Sequence, residues 1–198
     1  VCSSDLLAAN KQELQQIAGY WPDIEKSRVE AKRLLAEAGA SNLTVDYNNR
    51  DVDQPYKVVG TWLIDQWSKI GVTAKQTVRP TPQFYANLRK SHEYDVSIDF
   101  NCQSIVNPIA DITKFLCSAG NNYSQCEDKK LEEIYTNLAR SGSVKEQRAL
   151  IRQYEKRALD TEAHAMVTLW WYKINPHRSY VKGWKIAPSH YQIGRAHV

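Results

Sequence analysis

Two hydrophobic periods, two and 3.6, alternate along this chain with connections so short that successive elements must be spatial neighbours. Leu43, Val45 and Tyr47 alternate with Thr44, Asp46 and Asn48, the pattern of a half-buried strand. Val52, Tyr56, Val59, Leu63, Trp67 and Ile70 then recur at spacings of 4, 3, 4, 4 and 3, an amphipathic helix that Gly71 ends. Val72, Ala74, Gln76 and Val78 alternate again until Pro80 closes the second strand. Thr81-Pro82 predicts a cap and first helical residue for a short helix through Leu88, and Tyr94, Val96, Ile98 and Phe100 give a third strand. Strand, helix, strand, helix, strand in this order means βαβ units. The expected fold class is α/β, with a largely parallel or mixed sheet and helices on both faces.

Further elements flank this core. A helix is expected over 24–38, capped by Asp23, with Val29, Ala31, Leu34, Leu35 and Ala38 on one face and Gly39 as its stop. Two long helices are expected near 127–140 and 144–160, the second opened by the capping box Ser143-x-x-Glu146. Residues 165–172 form a continuous apolar run, as in a strand covered on both faces, and 180–186 read as one more strand. With 198 residues the chain has room for one large or two small domains. Residues 7–22 read as a poorly defined lead-in and 23–191 as one lobe.

The two ends read differently. Ile193-Gly194-Arg195-Ala196-His197 can be encoded by ATC GGA AGA GCA CAC, and the reverse complement of that string encodes Val1-Cys2-Ser3-Ser4-Asp5. An inverted DNA copy has no protein-level reason, so residues 1–6 and 193–198 are expected to be adapter-derived and are set aside from the fold argument.

Composition excludes several classes. Apolar residues at 42% and charged residues at 24% are globular proportions. No apolar run approaches the roughly 20 residues of a membrane-spanning helix. A net charge of +4, dispersed along the chain, is too weak to argue for nucleic acid. Phosphate-cradling glycine motifs and the G-x-S-x-G elbow are absent. His92, His164, His177 and His190 share no metal-ligand spacing. Asp95 and Asp99, about 13 Å apart on one strand, are too distant for a paired-carboxylate reaction. An enzyme, a resident cofactor and a metal are therefore not expected.

Two candidate ligand surfaces remain. The segment from Asn101 to Pro108 leaves the third strand at its carboxyl end, where ligands lie in open α/β sheets. Its Asn101, Gln103, Ser104 and Asn107 offer neutral donors and acceptors. Trp170, Trp171 and Tyr172 crowd one expected strand, so that Trp170 or Tyr172 either packs in the core or presents a stacking wall. Arg178, following within a few residues, would meet an anionic group there. Cys117 and Cys126 are separated by eight residues that include Gly120, Asn121 and Asn122. In an oxidising compartment they would form a disulfide stabilising by about 2–3 kcal/mol; otherwise they are two free thiols.

The order of motifs resembles the family 5 extracellular solute-binding proteins, the dipeptide, oligopeptide and nickel binders of ABC importers. The resemblance rests on Glu30-Ala31-Lys32-Arg33-Leu34-Leu35-Ala36-Glu37-Ala38-Gly39 and on Leu63-Ile64-Asp65-Gln66-Trp67-Ser68-Lys69-Ile70-Gly71-Val72. Tyr94-Asp95-Val96 with the loop to Pro108, Asn121-Asn122-Tyr123-Ser124, Gln147-Arg148 and Tyr180-Val181-Lys182-Gly183-Trp184 complete it, over roughly 20–191. It implies mostly the C-terminal lobe of a hinge-closing, periplasmic-binding-protein type II-like receptor. Such a receptor is non-catalytic, periplasmic or extracellular, monomeric, and delivers a small solute to ABC permease subunits. Peptide-binding relatives carry an aspartate four residues before the loop proline and a tryptophan three residues before that; here the positions hold Ser104 and Asn101. A serine supplies no charge for a peptide ammonium, so a neutral, polyhydroxylated or anionic solute is expected. The alternative class is a stand-alone α/β interaction module that binds a protein or single-stranded nucleic acid through exposed aromatics.

Overall fold

The computed structural model describes residues 7–100, 107–116, 118–169 and 178–183. They fall into two compact units, one of Asn10–Phe100 and one of Val1–Ala9 with Asn101–Val198.

The first unit opens with a single turn, α1 (Lys11–Leu14), closed by an Asn10/Glu13 capping box. Helix α2 (Ile24–Glu37) follows, with the Asp23 carboxylate accepting from Glu25 N and Lys26 N. Its end is a Schellman motif: Ala40 N donates to Leu35 O and Gly39 N to Ala36 O, with Gly39 at φ +67. No residue of α2 is buried, and Val29 is 68% exposed. The apolar stripe read from the sequence therefore exists but is not a core face in this unit. Arg28 Nη2 ties the helix to Gln66 Oε1 at 2.9 Å.

Three strands form one parallel sheet in the order β2-β1-β3: β1 (Thr44–Arg50), β2 (Thr73–Arg79) and β3 (Val96–Ser97). Tyr47 pairs with Gln76 and Val96, and Arg50 with Arg79. The third strand is shorter than its alternation predicts, because its pairing to the central strand covers only two residues. Helix α3 (Val58–Ser68) links β1 to β2 and starts later than expected. Asp53–Lys57 form a separate turn with a cis Gln54–Pro55 bond, and proline denies that turn an amide donor. Helix α4 (Thr81–Ala86), continued by a wide turn through Ser91, links β2 to β3. The first crossover runs from β1 out to β2 and the second from β2 back across β1 to β3, so right-handed connections put α3 and α4 on opposite faces of the sheet. On the α3 face Tyr47, Val59 and Leu63 form a core with Trp67, Ala74, Val96 and Ile98 around it; the Tyr47 and Trp67 rings meet edge to face at 5.5 Å.

The second unit contains α5 (Pro108–Asp111), a following tight turn (Ile112–Phe115), α6 (Lys129–Arg140) and α7 (Val144–Lys156). Leu116, Leu131, Ile134, Tyr154 and Ala158 make its core, and the Tyr154 hydroxyl donates to Ile112 O at 2.8 Å. Burial pushes the Tyr154 phenol well above its usual range. Half of the expected capping box forms. Ser143 Oγ accepts from Glu146 N, while the Glu146 carboxylate turns to the Ser141 hydroxyl instead. Residues 165–169, expected as the start of a strand, carry no regular structure, and 178–183 contain turns. The remainder of both expected strands, 170–172 and 184–186, lies outside the described residues.

Candidate functional site

The carboxyl half of β1 departs from simple alternation. Tyr47, Asn48 and Asn49 are buried in succession, Asn48 to 1% exposure and Asn49 completely. Two buried amides on one central strand require partners, since an unmatched amide costs about 1–3 kcal/mol, and both have them. Asn48, expected on the exposed side, lies instead between the two neighbouring strands. Its Nδ2 donates to Ser97 Oγ at 3.0 Å and its Oδ1 accepts from Arg79 Nη1 at 2.7 Å. Asn49 points to the α3 face, where its Nδ2 donates to Tyr56 O at 3.0 Å and Gln76 Oε1 at 3.1 Å. Gly60 of α3 sits over this pair; the Tyr47 hydroxyl, beside it, is buried with no partner among the described residues.

Arg50 ends the strand on the Asn48 face. Its Nε donates to Thr81 Oγ1 at 2.9 Å and its Nη1 to the Tyr56 hydroxyl at 3.3 Å. This claims the hydroxyl that the sequence assigned to capping α4, and that helix has no side-chain cap. The guanidinium also lies 5.1 Å from the Tyr56 ring centre and 5.3 Å from that of Tyr85. Burial pushes the Tyr56 phenol up to about 12, against the opposing pull of the Arg50 hydrogen bond. Arg50 and Arg79 are register partners and face the same side. Among the described residues neither forms an ion pair; their bonds go to an amide, a hydroxyl and a phenol.

The carboxyl ends of three parallel strands thus converge on a polar set of Asn48, Arg50, Arg79 and Ser97. The chain then continues from β3 through Phe100 into the 101–108 segment. An open α/β sheet presents its ligands at this end. Two open hollows lie at the amino end instead, one bordered by Lys32, Ser41, Lys69 and Gly71, the other by Gly39, Ser41 and Thr44. Neither borders any residue of the polar set.

Of the residues singled out from sequence, Asn107 is exposed and caps α5, its Oδ1 accepting from Ile109 N at 3.0 Å. Arg178 is exposed at the start of a turn, its carbonyl accepting from Val181 N. No hydrogen bond joins the two. Cys126 is half-buried with a free thiol, its Sγ 3.7 Å from Phe115 O. Asn101, Gln103, Ser104, Trp170, Tyr172 and Cys117 lie outside the described residues. Asp95 is exposed and its carboxylate accepts from Asp46 N, closing the sheet at its amino end. Sequence reasoning missed Asn48, Arg50, Arg79 and Ser97. The available signal was the run Asn48-Asn49-Arg50, three polar residues ending a strand whose neighbours require it to be central.

A second polar cluster sits in the other unit. Asp128, buried, caps α6 through Lys130 N and Leu131 N, pairs with Arg157 Nε at 2.7 Å and holds His164 Nε2 at 2.9 Å. Burial works to raise its carboxyl, but His164, the Leu131 amide and Arg157 prevail and hold it at about 2. The partners among the described residues all belong to this unit, so there the cluster acts as a structural tie. Among the described residues no group of His, Cys, Asp and Glu could hold a metal ion, and no helix is long and apolar enough to cross a membrane.

No family model matches the chain, and no curated protein matches it either. Solved structures do. The substrate-binding domain of an oligopeptide ABC transporter from Bacillus anthracis str. Ames superposes with a TM-score of 0.61 at 23% identity, over 80% of this chain and 32% of that one. The murein tripeptide binding protein of Escherichia coli gives 0.66 at 17% identity, over 73% and 29%. A periplasmic binding protein from Helicobacter pylori, solved with the peptide STSA, gives 0.58 at 20% identity, over 73% and 28%. The chain spans about a third of the length of these relatives. Over that stretch it has the fold of the peptide-binding type of ABC-transporter substrate-binding proteins.

Proposed function

We propose that this chain is part of an exported solute receptor that captures a small molecule for an ABC importer and releases it chemically unchanged. The observation that carries this reading is the polar set at the carboxyl ends of β1, β2 and β3, braced by the buried Asn48. Hydrogen-bond donors fixed on a rigid sheet suit recognition, because little side-chain freedom is lost when the ligand arrives. The similar solved proteins, one of them holding a peptide, support the same use of the fold.

In this reading Asn101, Gln103, Ser104 and Asn107 donate hydrogen bonds to the solute. Trp170 or Tyr172 stacks on the solute, and Arg178 meets an anionic group. The protein is periplasmic or extracellular, monomeric, and docks on permease subunits. On export Cys117 and Cys126 bridge, and a thiol count on protein from an oxidising compartment then finds two fewer reactive thiols than in the reduced chain.

A ligand held between two lobes favours the closed form by the difference in its affinity for the two forms. Small-angle scattering and calorimetry on a longer protein containing this chain, screened against a solute library, should show one solute class that binds and compacts the particle. Failure of every solute to bind or close the protein would overturn the proposal.

A further inference from the structure

We propose that Asn42 is a glycan-acceptor site, open to N-linked oligosaccharide transfer in the folded chain, while a second copy of the same motif is closed by its own hydrogen bonds. The proposal goes beyond solute capture and does not depend on it. Asn-x-Ser/Thr, with x other than proline, is the acceptor motif for N-linked sugars. The sequence carries it twice, as Asn42-Leu43-Thr44 and as Asn122-Tyr123-Ser124. Transfer needs an uncommitted side-chain amide on backbone that an enzyme can reach, so the surroundings of each asparagine decide between them.

Asn42 stands in the turn that joins α2 to β1, where Leu43 N donates to Ala40 O at 3.1 Å. Asn42, Leu43 and Thr44 are all exposed, and the Asn42 side chain makes no hydrogen bond among the described residues. Strand β1 pairs with β2 from Thr44 onward but with β3 only at Tyr47 and Asn48, so 42–44 keep one edge uncovered among the described residues. Residues two apart on an extended chain share a side, which lets one enzyme pocket meet the amide and the Thr44 hydroxyl together. Asn122 is half-buried and committed. Its Nδ2 donates to Cys126 O at 3.2 Å, and its Oδ1 accepts from the Ser124 hydroxyl at 2.7 Å, so the motif's own hydroxyl is engaged. Asn42 also precedes β1, at the amino end of the sheet, and a glycan there leaves the carboxyl ends of the strands clear. In the transfer, Nδ2 bonds to the anomeric carbon of a lipid-pyrophosphate-linked oligosaccharide and gives one proton to the enzyme's base. The carbon–oxygen bond to the pyrophosphate breaks, and the lipid pyrophosphate leaves with its electron pair.

The test incubates the folded 198-residue chain with a purified single-subunit oligosaccharyltransferase and a lipid-pyrophosphate-linked chitobiose donor, and reads the product by intact mass and peptide mapping. One glycan should appear, on Asn42. Transfer to Asn122 should be slower by at least about tenfold, because its hydrogen bonds must first be released. Asn42→Gln should abolish the main product, and Asn122→Gln should leave it unchanged. Thr44→Val keeps a β-branched shape suited to the strand but lacks the hydroxyl, and should also abolish it. Should a variant fail to fold, the ratio of the two sites in the parent chain decides alone. Absence of transfer to the folded chain, or transfer to Asn122 as fast as to Asn42, would overturn the proposal, and neither result bears on solute capture.

Discussion

A methyl group added at Gly60 would overlap Asn49 Nδ2, come within 2.6 Å of Gln76 Oε1 and within 3.3 Å of the Tyr47 hydroxyl. Asn49 cannot retreat, because its amide already binds Tyr56 O and Gln76 across the face of the sheet. Alanine favours a helix interior over glycine by about 1 kcal/mol, so the two effects oppose each other, and overpacking against a hydrogen-bonded pair costs about 1–3 kcal/mol or more. The clash should win. Gly60→Ala is expected to destabilise the chain by about 1–2 kcal/mol in urea melts, and a gain in stability would show that α3 can lift off the sheet. Nothing in the sequence marks this glycine as a contact residue. It occupies one position in a good helical pattern, and its role comes from β1 and β2 passing beneath it.

At the level of elements, caps and stops were legible because they are local. Asp23 and Gly39 bracket α2 as expected, since each acts on amides or carbonyls within a few residues. Thr81 was misread because its hydroxyl goes to Arg50, thirty-one positions away in sequence; local rules cannot see such competition. Helix α6 depends on both kinds of contact. Its cap, Asp128, is local, but Arg157 and His164 bind the same carboxylate from beyond α7. Because the folded carboxyl sits at about 2, below its ordinary 3.8, the stabilisation is fully present above about pH 4–5 and is lost as pH falls toward 2. For a side chain 3% exposed, a shift near two units corresponds to about 2 kcal/mol. Asp128→Asn should therefore be less stable than the parent at pH 7 by at least that amount, with the gap shrinking by about 1.5 kcal/mol by pH 2.5. Urea melts followed by circular dichroism at the two pH values measure it. A gap independent of pH would mean that the bonds from His164, the Leu131 amide and Arg157 do not favour the charged carboxylate.

For the whole molecule, the helical stripe of α2 shows how far periodicity carries. Val29 and Leu34 lie on the apolar face that the sequence marks, yet they are 68% and 49% exposed, as is Ile24 at 56%. A 3.6-residue pattern reports selection for burial, not the identity of the covering surface. The α3 pattern is satisfied because β1 and β2 lie under Val59 and Leu63; the α2 pattern has no such floor within its unit. The chain spans about a third of its solved relatives' length, and under the proposed function a longer protein would cover the stripe. Two measurements follow from that. In the 198-residue chain, Val29→Gln with Leu34→Gln should change stability by no more than about 0.5 kcal/mol per site and should reduce self-association in sedimentation velocity, since exposed apolar patches promote it. In the longer protein the same pair should destabilise by several kcal/mol, about 2 or more for each buried aliphatic side chain lost. Equal tolerance in both proteins would mean that the stripe is surface in either setting, and the proposed larger receptor would lose the packing that its sequence pattern requires.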